Sequence, residues 1–100
     1  MTINVAQNEN QTIVEVEGRL DTVTAPDLEK QLSSYMQANG VDLVLDCEKM
    51  EYVSSAGLRI ILTLHKMLTS KGGKFTLRNL NKEVRNVFDM TGFSKILNIQ

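Results

Sequence analysis

The chain has 100 residues, 42% of them hydrophobic and 23% charged, with 11 basic against 12 acidic side chains. That length suits a single domain over residues 1–100 with one core, and the composition excludes a disordered or membrane-spanning chain. A formal charge of -1 supplies no field that would gather nucleic acid or an anionic bilayer, and one Cys47 with one His65 leaves neither a disulfide nor a ligand cluster for a metal.

The first two elements read as strands, with Ile3 and Val5 alternating with polar residues and Ile13, Val14 and Val16 following after Gln7-Asn8-Glu9-Asn10. Gly18 is expected to close this hairpin. Thr24-Ala25-Pro26-Asp27 then predicts a helix start, with Thr24 as cap, Pro26 in the first turn and Asp27 on the dipole. Leu28, Leu32, Tyr35 and Met36 form its apolar stripe, and Gly40 its stop. Val41, Leu43, Val44, Leu45 and Cys47 predict a central strand, and Glu48-Lys49-Met50-Glu51 a polar link. Ser54-Ser55-Ala56-Gly57 opens a second helix, on which Leu58, Ile61, Leu62, His65 and Leu68 share a face until Gly72-Gly73. Phe75 and Leu77 mark another strand, Val84, Val87 and Phe88 a third helix ending at Gly92, and Ile96, Leu97 and Ile99 a short extended piece.

The order ββαβαβαβ predicts an α/β fold, with an antiparallel N-terminal hairpin joined to parallel strands in a mixed sheet of four to five strands and three or more helices. In such sheets, partners meet the loops at the carboxyl ends of the parallel strands. Two loops qualify, Gly18-Arg19-Leu20-Asp21-Thr22 and Glu51-Tyr52-Val53-Ser54-Ser55-Ala56-Gly57, and they are expected to lie side by side.

Four segments then carry a family resemblance: Gly18-Arg19-Leu20-Asp21 with Ala25 and Leu28, Val44-Leu45-Asp46-Cys47, Tyr52-Val53-Ser54-Ser55-Ala56-Gly57-Leu58-Arg59, and Glu83-Val84-Arg85 leading to Thr91-Gly92-Phe93. Over its whole length the chain resembles the free-standing STAS domain of bacterial anti-sigma-factor antagonists. The resemblance implies a partner-switching cycle. The unmodified domain binds an anti-sigma factor and frees a sigma factor, the anti-sigma factor acts as a serine kinase that phosphorylates the domain, and a serine phosphatase resets it. In that family the helix is preceded by Asp-Ser-Ser/Thr-Gly-Leu, and alignment on Gly57-Leu58 puts the modified serine at Ser55, with Ser54 in place of the aspartate and as the alternative acceptor. Asp21, Thr22, Ser54, Ser55, Ala56, Gly57 and Arg59 become the expected partner-binding residues.

Each of these has a plainer reading. Ser54 or Ser55 serves equally as a helix cap, Asp21 as a turn residue, Arg59 as a solvated cation, and Met36, Met50 and Tyr52 as core rather than contact patch. An enzyme is not expected: Ser55 and His65 on one helix stand roughly 15 Å apart, against the ~3 Å a nucleophile and base need. The expected protein is a cytoplasmic monomer without cofactor, metal, nucleic-acid or membrane partner. Its rivals are a small-ligand or nucleotide sensor with the same loops and a switching module with an output other than a sigma factor.

Overall fold

The computed structural model describes residues 1–100. Its strands are β1 (Thr2–Gln7), β2 (Thr12–Leu20), β3 (Asp42–Asp46), β4 (Met50–Val53), β5 (Lys74–Arg78) and β6 (Asn98–Ile99). Its helices are α1 (Ala25–Gln37), α2 (Ser55–Ser70) and α3 (Lys82–Thr91), with a 3-10 turn at Phe93–Lys95. One sheet runs β1-β2-β3-β5-β6, with β1 antiparallel to β2 and the other pairs parallel, so the expected mixed α/β architecture holds.

Alternation along the strands sorts their residues by face. Val14, Val16, Leu43, Leu45, Phe75 and Leu77 join Leu28 and Leu32 of α1, Ile61, Leu64 and Leu68 of α2, and Val84 and Phe88 of α3 in one core of 21 buried residues. Glu15, Asp46 and Arg78, which sit beside one another in the sheet register, belong to the other face. Met36 and Met50 are core residues at 6% and 1% exposure, whereas Tyr52 stands 41% exposed. Cys47 is buried, and burial, with help from the Asp46 carboxylate, pushes its thiol up to about 12, so it stays protonated and inert.

Three local expectations are corrected. Gly18 does not end the hairpin: β2 continues through it to Leu20, leaving β3 after Glu15 and pairing with β4 from Gly18 onward. The link at residues 48–51 contains the start of a sixth strand, β4, whose pairing with β2 shifts by one residue, since Gly18 faces Met50 but Arg19 faces Tyr52. Glu51 is the extra residue, and the shift turns Met50 and Val53 both inward across two exposed residues. Thr24 makes no side-chain cap on α1; its hydroxyl reaches back to the Arg19 carbonyl at 2.7 Å.

Candidate functional site

The two loops named from sequence do meet. The Ser54 N–H donates to the Leu20 carbonyl at 2.9 Å, so the β4–α2 connection is anchored to the end of β2. Below it, Gly57 is buried. A Cβ at Gly57 would stand 2.8 Å from both Leu20 Cγ and the Leu20 oxygen, so glycine is what lets α2 begin so close to β2.

The two serines divide the work at that helix start. Ser54 is the cap, with extended backbone and a side-chain oxygen that accepts from the Gly57 N–H at 3.3 Å. Ser55 is the first helical residue, is exposed, and its hydroxyl has no hydrogen bond within the chain. The first turn of α2 contains no acidic residue, so the positive end of its dipole has no carboxylate of its own. Ala56 is half-buried and Arg59 exposed, outside every ion pair of the molecule.

Asp21 organises the neighbouring turn. Its Oδ1 accepts from the Val23 and Thr24 N–H groups at 3.0 and 3.1 Å, and its own N–H donates to Thr24 Oγ1 at 2.9 Å. The Thr24 N–H leads the causes that hold its carboxyl below the usual range, ahead of a partly opposing desolvation and the smaller effects of Val23 and Arg19. Thr22 is exposed on the same turn. Asp46 is only 7% exposed. Burial disfavours its charge, but the Glu48 N–H, Asn79 and Arg78 outweigh that and keep its carboxyl low.

Sequence reasoning missed what long-range pairing assembles beside this loop. The Arg19 guanidinium lies 4.2 Å from the centre of the Tyr52 ring and 3.7 Å from Asp21. On the other side, β4 and α3 enclose a groove lined by Glu51, Tyr52, Val53, Glu83, Val84 and Val87. The only sequence signal for either is that Arg19 and Tyr52 fall in the two flagged loops. His65 is half-buried on α2, ten positions beyond Ser55, so the helix itself keeps the ring from the hydroxyl. No helix is long and apolar enough to cross a membrane.

Comparison with known proteins gives a consistent result. The STAS domain profile matches residues 2–100. The anti-sigma-B factor antagonist of Bacillus subtilis is 32% identical over 99 residues, covering 99% of this chain and 90% of that protein. An anti-sigma factor antagonist from Mycobacterium paratuberculosis superimposes with a TM-score of 0.87 at 28% identity, covering 98% of this chain and 83% of that one. The Bacillus cell fate determinant SpoIIAA in its phosphorylated form has the same fold, with a TM-score of 0.76 at 17% identity over 99% of this chain and 91% of its own.

Proposed function

The chain belongs to the STAS domain family, and from that premise we propose that it is an anti-sigma factor antagonist switched by phosphorylation of Ser55. Unmodified, it binds an anti-sigma factor with serine kinase activity in the cytoplasm and thereby frees a sigma factor. The kinase transfers the γ-phosphoryl group of ATP to Ser55 Oγ, which releases its proton, leaving ADP and a phosphoserine that no longer docks. A serine phosphatase hydrolyses the ester to inorganic phosphate and restores the hydroxyl.

One observation carries this reading: Ser54 is engaged as the cap, while the Ser55 hydroxyl is exposed and unbonded at the same helix start. A kinase reaches Ser55 without undoing a structural contact. The product adds about -1.5 to -2 charges where unpaired N–H groups and the helix dipole favour an anion. The architecture is therefore kept, as it is in phosphorylated SpoIIAA, which shares this fold. A docking face that must cover this rim would have to desolvate the dianion. A penalty of roughly 3 kcal/mol lowers affinity more than a hundredfold.

Incubation with the anti-sigma factor and ATP should raise the intact mass by one phosphate, about 80 Da. Ser55→Ala should abolish the gain and Ser54→Ala should keep it. A phosphate that persists on the Ser55→Ala protein would refute the assignment.

A further inference from the structure

The groove between β4 and the first turns of α3 has a volume of about 230 Å³. Tyr52 and Val53 line it from the strand, Val84 and Val87 from the helix, and its only charged members are Glu51 and Glu83. Both carboxylates are exposed, and neither belongs to any of the four ion pairs in the chain. Of the neighbouring cations, Arg19 is held over the Tyr52 ring at 4.2 Å and Arg85 pairs with Asp89 at 3.3 Å, while Lys82, next to Glu83, is exposed and outside the lining.

The groove is built rather than incidental. The Asn81 side-chain amide donates to the Met50 carbonyl at 3.0 Å, fixing the start of α3 against β4. The one-residue shift between β2 and β4 falls at Glu51, taking its side chain out of the strand's alternation. Glu83 occupies the first turn of α3, where the dipole favours its charge. An apolar trough with two acidic groups and no cation complements a long side chain that has an aliphatic stem and a cationic head.

We infer that this groove receives an arginine or lysine of the anti-sigma factor, its stem along Val53, Val84 and Val87 and its head between Glu51 and Glu83. The inference rests on the antagonist reading above and adds to it the chemistry of the partner's face, which is basic at this point. The groove supplies attraction and orientation, and Ser55 supplies the switch.

The test uses the anti-sigma factor that phosphorylates the wild-type chain. Its affinity for a Glu51→Gln/Glu83→Gln protein is measured by calorimetry at low and high ionic strength, beside wild type and a Glu9→Gln control in the β1–β2 loop. The double variant should bind about tenfold more weakly at low salt, with a flatter salt dependence. The control should match wild type, and single phosphorylation of Ser55 should persist in both. Unchanged affinity and salt dependence in the double variant would overturn the inference. Loss of binding only on Val87→Asp would assign the groove an apolar occupant and overturn it equally. A wild-type chain that neither binds nor is phosphorylated by any anti-sigma factor would instead sink the antagonist reading itself.

Discussion

Helices α2 and α3 begin in the same way and yet are equipped for different ends. In each, a polar residue just before the helix accepts from the N–H three positions on: Ser54 from Gly57 at 3.3 Å, and Asn81 from Val84 at 2.8 Å. In α3 the first turn contains Glu83, so its dipole already has an anion, and Asn81 also holds the Met50 carbonyl. In α2 the first turn has no acid and a longer cap bond, and an unbonded serine follows the cap. The third helix-forming residue differs too: a glycine packed on Leu20 in α2, a buried valine in α3. One start is electrostatically complete, while the other is closely seated and leaves room for a charge.

The contrast can be broken most sharply at the seat. Gly57→Ala forces a methyl group against Leu20 and Val53, and should destabilise the fold by about 2–3 kcal/mol in denaturant titration, with the apparent slope unchanged. Asn81→Ala removes a cap and the donor to Met50, and should cost about 1.5–2 kcal/mol by the same measurement. Ser54→Ala loses only the longer cap bond, so its cost should be about 0.5–1 kcal/mol, with phosphorylation of Ser55 retained by mass. The smallest effects run in opposite directions. Ser55→Asp should raise stability by a few tenths of a kcal/mol, ~0.3–0.5, and Glu83→Gln should lower it by a similar amount, because a carboxylate is gained at one helix start and lost at the other. Thermal midpoints that moved in the same direction would show that the two starts are electrostatically alike after all.

The helices and five of the six strands were legible because their patterns are local. The stripe Leu28, Leu32, Met36 and the run from Leu43 to Leu45 declare themselves without reference to the rest of the chain. That the two loops lie side by side was legible as well, although the strand that brings the second loop to the end of β2 is β4 and not the central β3. The strand at Met50–Val53 was not, because four residues with buried ends and exposed middles show no period of two. Only its pairing with β2 makes it a strand. Thr24 carried the signature of a cap, but the neighbouring Asp21 and Arg19 groups offered its hydroxyl better partners. The Glu51–Glu83 groove had no local sign at all, being made by residues 32 positions apart that meet only when α3 docks on β4.

The extra residue at Glu51 leaves the inward-facing set of its strand unchanged. Were it deleted, Met50, Tyr52 and Val53 would run consecutively and still oppose Gly18, Arg19 and Leu20, each facing the side it faces now. A chain one residue shorter would turn the same residues toward the hydrophobic interior, while losing one of the two carboxylates beside α3.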